Sequence, residues 1–549
     1  MLTLAAGFAP LDWAVLALYF GVLVVTGLWF ARRAQRDTDD YFLAARSMPA
    51  WAVAVSILAT SLSAATFIGG PQQAYVGDLT YLSSSLGMML AAIVIAVWFI
   101  PAFYRARVST VYELLDTRFG PTSKRAASAM FMLGRVFASG ARLFIVALPA
   151  SLILFGEPHG ADPIPAWQLL TAITLMTFVG IGYTLAGGIS SVIWSDVLQT
   201  VVFLAAVVAA IGLLLVKIPV GVDEIARTLA DAPGSLAAEA GSSGKLTAIS
   251  LSTDPRSPYT LWAILIGFTL LGVGAYGTDQ DLVQRMLTCR SARAGSWSVI
   301  ASQIIGLPVV ILFMLVGLLL FVYYQRPEVM GAAAPTSAPD DSRTIFLNFI
   351  LCEMPQGMTG LMMAGLFAAG LSSLNSAINA MASTFVSDFY KHWAPSRDPR
   401  HYVLVGRAAV IAWGLLLGAF AAFCVFWQRE SGKTLIDFAL GVMVYAYSGL
   451  LGVYFTALFT RRGSTTSVLG ALAAGFLAVL LMERTAWGLV INLDAPRASA
   501  ELNSDHVHPL LFVLGLAFPW KLAIATTIAT GVCLLGSGQS KLALNIPES

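Results

Sequence analysis

Charge is the first thing this chain is short of. Asp, Glu, Lys and Arg make up 11% of its 549 residues, against roughly 25% in an ordinary soluble protein, and that shortage excludes a solvent-facing globular domain. Histidine is nearly absent: His159, His392, His401, His506 and His508 are the five, all between apolar runs. No imidazole base therefore stands beside a membrane-embedded serine, which excludes an intramembrane hydrolase. Cysteine is scattered at Cys289, Cys352, Cys424 and Cys533; without CxxC or histidine spacing, neither a zinc site nor a disulfide framework is expected. A net charge of +2 offers no single-signed surface to nucleic acid. No glycine-rich nucleotide loop is found, so neither an organic cofactor nor an enzyme is expected.

What the chain has in excess is apolar length. Hydrophobic residues are 58% of it, gathered in thirteen runs near residues 11–31, 50–75, 80–104, 126–155, 166–186, 190–216, 259–282, 296–324, 345–388, 402–427, 434–459, 466–487 and 510–536. At about 1.5 Å per helical residue, such a run crosses a hydrocarbon layer of about 30 Å. An all-α polytopic membrane protein of about thirteen transmembrane helices follows, with the lipid bilayer as its first partner. The ninth run is too long for one crossing and is expected to combine a short outer helix with a span from near Gly360.

Basic residues set the orientation. Arg32, Arg33, Arg36 and Arg46 form one cytoplasmic cluster; Arg105, Arg107, Arg118, Lys124 and Arg125 the next; Arg285, Arg290 and Arg293 a third; Lys391, Arg397, Arg400 and Arg407 a fourth. The N-terminus, without a basic stretch before its first run, is expected outside, with no cleaved signal peptide. An odd number of spans then puts the tail from Gly536 in the cytoplasm. Localisation in a cell's inner (plasma) membrane is expected, as a monomer or weak homodimer. Segments Pro219–Tyr259 and Arg326–Arg343 are predicted as outer loops, the first with a short helix near Asp223–Ala232.

Two runs interrupt themselves. LATSLSAATFIGGPQQAY (Leu58–Tyr75) carries hydroxyls and then Gly69, Gly70 and Pro71; GFTLLGVGAYGTDQDLVQR (Gly267–Arg285) is punctuated by Gly272, Gly274 and Gly277. Broken helices are tolerated in a bilayer only where protein or a cavity satisfies the backbone. The breaks are five runs apart, the spacing of a transporter built from two inverted five-span repeats with a discontinuous helix first in each. That divides the chain into residues 1–40 (an extra span), 41–217 (repeat one), 218–258 (an outer loop), 259–462 (repeat two) and 463–549 (two further spans and a tail).

The ninth run adds a stripe. Ala369, Ser372, Ser373 and Ser376 recur at helical spacing, and their hydroxyls, with freed carbonyls, are the hard neutral oxygens that alkali cations prefer; close helix packing explains small residues equally well. Membrane-embedded charge marks function or an internal salt bridge. Asp196, Arg135 and Arg142 are such charges. Arg135, near the cytoplasmic face, is expected either to snorkel or to pair with Asp196, and Arg142 to pair within the bundle or meet a substrate carboxylate.

DYFLAARSMPAW (Asp40–Trp51), LATSLSAATFIGG, FYRARVSTVYELLDTRFG (Phe103–Gly120), GGISSVIWSDVLQ, TDQDLVQR (Thr278–Arg285) and AAGLSSLNSAINAMASTFVSDFY resemble, in order and spacing, the sodium/solute symporter (SSS) family, bacterial members included. The resemblance runs from Asp40 to Tyr390 and more weakly to Arg462. It implies a LeuT-like five-plus-five core and a sodium-coupled symporter importing a small organic solute by alternating access, with Na+ as the coupling ion. The carbonyls of Ala59, Leu62 and Ala369 and the hydroxyls of Ser372 and Ser373 would hold sodium. Asp196, Asn375 and Ser376 would hold a second sodium, although the asparagine departs from the all-serine pattern. The solute would meet Ser63, Thr66, Gln72, Gln73, Ser85, Arg142, Tyr276, Tyr445, Tyr447 and Ser448. Thr66 and Ser85 replace the amide and carboxylate of sugar carriers, so a carboxylate-bearing solute (monocarboxylate, amino acid, pantothenate or sialic-acid-like) is expected ahead of a sugar or polyol. A membrane solute sensor or a channel is the other class considered.

Overall fold

The computed structural model describes residues 8–31, 43–156, 164–186, 189–233, 244–335, 339, 341–431, 434–483 and 515–537. The basic cluster at Arg32, Arg33 and Arg36, the tail beyond Leu535–Ser537, His159, His506 and His508 lie outside or at the edge of these residues.

Among them the regular structure is helical. α1 is Pro10–Ala31, α2 Ala50–Ser61, α3 Ala64–Val76, α4 Thr80–Ala106, α5 Pro121–Phe155, α6 Ala166–Ala186 and α7 Ile189–Lys217. α8 is Val222–Asp231, on the segment expected to carry a short outer helix. α9 is Leu261–Thr278, α10 Gln280–Leu287, α11 Ala292–Gln325, α12 Met358–Trp393, α13 Pro399–Ser431, α14 Leu435–Gly441, α15 Val444–Phe459, α16 Thr465–Leu481 and α17 Phe518–Leu534. Seven of these are long and apolar enough to cross a membrane, nine if each of two bent pairs is one span, and four shorter apolar helices accompany them. The ninth run does begin with a short separate helix at Ile345–Asn348 before α12.

The first break is not where the glycines are. α2 and α3 meet at 61° across Leu62 and Ser63, both extended (ψ 101° and 179°), while Gly69, Gly70 and Pro71 are helical residues inside α3. Three polar residues decide this. Thr60 and Ser61 return their hydroxyls to the carbonyls four residues back, at 2.8 Å each, which weakens the next turn, and Ser63 then caps the new helix by accepting from Ala65 N at 3.3 Å. The glycines serve contact instead: a Cβ on Gly69 would lie 2.7 Å from Ile436, and one on Gly70 3.3 Å from Phe313.

In the second broken run Gly272, Gly274 and Gly277 are likewise helical, and the chain breaks just past them, where Asp279 is extended (φ −99°, ψ 115°) and caps α10 by accepting from Asp281 N at 3.0 Å. A wide π-helical turn over Gly274–Thr278 leads into it. The glycines again admit neighbours: a Cβ on Gly272 would fall 2.5 Å from Ala91 and one on Gly277 2.4 Å from Ile95. A third bend, 40° between α14 and α15, had no such signal in the sequence. α7 packs along α12, and α2 and α3 against α11, and the residues at both breaks, Leu62, Ser63 and Asp279, are buried.

Candidate functional site

The break in the α2–α3 pair ends one hydrogen-bond ladder and starts another. Leu62 N still reaches Leu58 O at 2.8 Å, and the ladder resumes with Thr66 N to Ser63 O at 2.8 Å. Carbonyls at the end of a helix lose their helical donors, which frees those of Ala59 and Leu62. α12 lies opposite, and Ser373 Oγ donates to Thr60 O at 3.2 Å. Ser372 Oγ donates to Asp196 Oδ1 at 2.5 Å; its one proton is thereby committed to α7, and its lone pairs are left for an ion. Ala59, Leu62, Ala369 and Ser372 line one small cavity. The five residues expected to hold sodium thus gather around the break, as neutral oxygens suited to a monovalent cation.

The three residues expected at a second sodium site are otherwise engaged. Asp196 accepts from Ser56 Oγ at 2.5 Å and from Ser372, and pairs with Arg285 Nη2 at 3.3 Å. Ser376 Oγ accepts from the same guanidinium, and Asn375 Oδ1 accepts from Thr184 Oγ1 at 3.2 Å. Arg285 had been counted with a cytoplasmic basic cluster, yet it is 1% exposed. Its other arm holds Asp281 at 2.8 Å.

Arg135 also departs from expectation. It reaches Asp279 rather than Asp196, through Nε to Oδ1 at 3.0 Å and Nη2 to Oδ2 at 2.7 Å, and touches Asp281 at 3.2 Å. Tyr447 Oη donates to Asp279 Oδ2 at 2.7 Å. A continuous buried line, Asp196–Arg285–Asp281–Arg135–Asp279–Tyr447, therefore ties α7, α10, α5 and α15 together across the second break. TDQDLVQR carries both acids and the arginine, with Asp281 and Arg285 one helical turn apart, but which partners they meet depends on three other helices.

Beside this line lies a cavity of about 140 Å³. Ser63, Thr66, Ser85, Arg142 and Tyr276 line it, as expected; so do Ser61, Tyr81 and Gln303, which the sequence did not single out. Tyr276 Oη accepts from Gln303 Nε2 at 3.0 Å and sits 3.4 Å from Ser61 Oγ, forming one wall. Met88, Phe268, Leu271, Leu307, Leu440 and Met443 supply an apolar flank. Arg142 makes no ion pair among the described residues: its Nη2 contacts Met443 Sδ at 3.7 Å, and its buried Nε has no partner.

The remaining solute candidates stand apart from this cavity. Gln72 bridges α3 to Ser342 at 3.2 Å and to Leu435 N at 3.3 Å. Gln73 keeps a buried Oε1 without a partner. Tyr445 packs on Phe137 and Phe476, Tyr447 is spent on Asp279, and Ser448 bonds back to Tyr445 O at 3.3 Å. Of these, Gln72, Tyr447 and Ser448 have their side-chain polar atoms spent on contacts within or between helices.

The profile of the Sodium:solute symporter family matches residues 41–477. The chain belongs to that family. The symporter is 29% identical to the sodium/sialic acid symporter SiaT of Proteus mirabilis over 490 residues, 86% of this chain and 89% of that one. It is 29% identical to the human sodium/iodide cotransporter over 475 residues, 85% of this chain and 69% of that one. It also resembles human sodium-coupled monocarboxylate transporter 1, at 25% over 516 residues, 91% of this chain and 79% of that one. A solved outward-open, substrate-bound Na+-coupled sialic acid symporter superposes with a TM-score of 0.74 at 25% identity, covering 98% of this symporter and all of that chain. The fold is accordingly the LeuT-like symporter fold. The protein is a sodium-coupled membrane transporter of small solutes, as its relatives are, and not an enzyme.

Proposed function

We propose that this symporter imports a small monocarboxylate together with sodium by alternating access. The carrying observation is Arg142, a buried guanidinium with an unpartnered Nε at the edge of a cavity. A carboxylate satisfies such a group bidentately. A cavity of about 140 Å³ is close to the space that holds one benzene ring, enough for a short monocarboxylate. The apolar flank opposite Arg142 suits a short hydrocarbon body.

Charge balance supports coupling. Asp196, Asp279 and Asp281 are paired by Arg135 and Arg285, and Arg142 lies beside them at the cavity without an ion pair, so the region holds three formal charges of each sign. One sodium ion and one monocarboxylate add no net charge to this buried region, whereas either alone leaves one uncompensated, at high cost in a membrane interior. Each ligand then strengthens the other's binding equally, by about 1–3 kcal/mol in typical coupled systems. Sodium at the carbonyls of Ala59, Leu62 and Ala369 and the hydroxyls of Ser372 and Ser373 orders the first break; rearrangement of repeats 41–217 and 259–462 then opens the cytoplasmic side. Thirteen spans with the N-terminus outside and the C-terminus inside an inner (plasma) membrane agree with the basic loops.

Sodium-gradient uptake in proteoliposomes tests this, with labelled short monocarboxylates, polyols of similar size and a sialic acid. Sodium-stimulated uptake of a monocarboxylate, lost in Arg142→Gln, is expected. Uptake of neutral polyols alone, unaffected by Arg142→Gln, refutes the carboxylate assignment.

A further inference from the structure

We propose that an anionic phospholipid binds this symporter at an arginine patch around Tyr104, on the side that the basic loops assign to the cytoplasm, where the ends of α2 and α10 meet. Three stretches distant in sequence supply the patch: Arg46 before α2, Arg105 and Arg107 at the end of α4, and Arg290 and Arg293 after α10. Tyr104 brings them together. Its Oη is shared between Met286 O at 2.9 Å and Cys289 O at 2.7 Å, and the guanidinium of Arg46 lies 5.5 Å over its ring. Arg46 Nη2 donates to Val108 O at 3.0 Å. Met48 N donates to Thr288 O at 3.1 Å, which joins the chain entering α2 to the chain leaving α10. A headgroup held between Arg46 and Arg290 reinforces that junction.

The patch is short of counter-charge. Arg105, Arg107, Arg290 and Arg293 are exposed, and Arg107, Arg290 and Arg293 make no ion pair among the described residues. The acids of the adjoining segments are spent on other groups: Glu113 accepts from Ser109 N at 2.8 Å and lies 3.8 Å from Lys124, and the buried Asp388 holds Lys124 at 3.1 Å. Guanidinium groups gathered in one place repel unless an anion lies among them, and a phosphate accepts from two at once. The positive-inside rule explains the sign of these residues, but not their gathering from three stretches beside two exposed indoles. Trp297 and Trp98 are 57% and 40% exposed; they lie about one turn beyond Arg293 in α11 and about two turns before Arg105 in α4. Ser296 Oγ donates to Ala96 O at 2.8 Å, which holds the two helices together at that level. Exposed tryptophans just inside a basic rim mark the depth of the membrane interface, so the surface suits a phosphate and its acyl chains together, as basic sites between helices on this side do. A soluble anion or an acidic protein would use the arginines and leave the indoles idle.

The test is titration of a short-chain phosphatidylglycerol into the purified full chain in uncharged detergent, with bound lipid counted by native mass spectrometry and melting temperature followed in parallel. Arg290→Gln/Arg293→Gln is expected to weaken phosphatidylglycerol binding about tenfold, in keeping with two basic residues at an anionic surface, and to abolish the rise in melting temperature that the lipid gives wild type. Trp297→Ala, which removes no charge, should weaken binding about threefold. Arg397→Gln/Arg400→Gln takes two equally exposed arginines from the junction of α12 and α13 and should bind like wild type. Phosphatidylcholine of the same chain length, without net charge, and glycerol 3-phosphate, with the charge but no chains, should each leave the melting temperature unchanged. Equal losses in the two double variants overturn the proposal, because the effect is then one of overall positive charge. An equal rise with glycerol 3-phosphate overturns it too, and assigns the patch to a soluble anion. Neither measurement involves the transported solute, so the outcome is independent of the carboxylate assignment.

Discussion

Arg135 lies across the break between α9 and α10 with its guanidinium 2.7 and 3.0 Å from the two oxygens of Asp279. Both groups are about 2% exposed or less. Removing one partner of such a pair leaves a buried charge uncompensated, which costs about 3–5 kcal/mol. Arg135→Met should therefore be markedly less stable in thermal unfolding than Asp279→Asn/Arg135→Met, which removes both charges. Equal melting temperatures for the two would show the pair to be unimportant. Arg135→Lys should not rescue, because an ammonium cannot make the paired contact.

Arg142 predicts a different pattern, because it has no partner to lose. Arg142→Gln should leave folding within the range of ordinary substitutions while weakening the carboxylate solute about ten- to hundredfold, the worth of one charge-assisted contact. Solute binding by calorimetry at saturating sodium measures this. A large fall in melting temperature without solute would instead make the arginine a structural residue.

Sodium stoichiometry follows from Arg285. Its guanidinium is held between Asp196, Ser376 and Asp281, and a cation seated there has to displace it against like charge. Sodium activation of uptake should be hyperbolic, with a Hill coefficient of about one. A coefficient near two would place a second ion at Asp196.

Close helix contact against α3 gives a packing prediction. A Cβ on Gly317 of α11 would lie 2.2 Å from Pro71 O, a backbone atom that cannot rotate away. Gly317→Ala should destabilise by about 1–3 kcal/mol, seen as a lower melting temperature, whereas Gly212→Ala, with open space around it, should not.

Lys245, in the segment between α8 and α9, carries the pH dependence. Its ammonium donates to Tyr75 O and Gly77 O at 2.7 Å each, at the end of α3, and lies 4.1 Å from the Phe321 ring. Cations are favoured at helix C-termini, yet burial lowers its pKa from 10.5 to about 8, with Asp78 opposing the shift and Arg326 adding to it. The folded protein then holds fewer protons than the unfolded chain between these values, so the lysine's contribution to stability rises as pH goes from about 8 towards 10.5. Lys245→Met should cost about 1–3 kcal/mol through unsatisfied carbonyls, and its melting temperature should fall further behind wild type at pH 9.5 than at pH 7. A gap that narrows at pH 9.5 would contradict this.

Composition and periodicity by themselves determined that the chain is a helical membrane protein, where its apolar runs lie, and that two of them carry irregular backbone five runs apart. Those properties are local: a run of apolar residues demands a helix in lipid whatever its neighbours are, and the serine stripe of α12 is a matter of spacing. Glycine misled about the breaks because it permits both irregular backbone and close packing, and only the neighbours distinguish them; Ile436 beside Gly69 and Ala91 beside Gly272 made packing the answer. Leu62–Ser63 and Asp279 break the helices instead, through hydroxyl and carboxylate caps. Only the tertiary structure decided the partners of charge. Arg285 passed for a loop residue because its sequence neighbourhood is polar, and Arg142 could be told from Arg135 only by finding that α10 supplies acids to one and none to the other. Helices far apart in the chain meet there, and a buried charge is defined by what it meets.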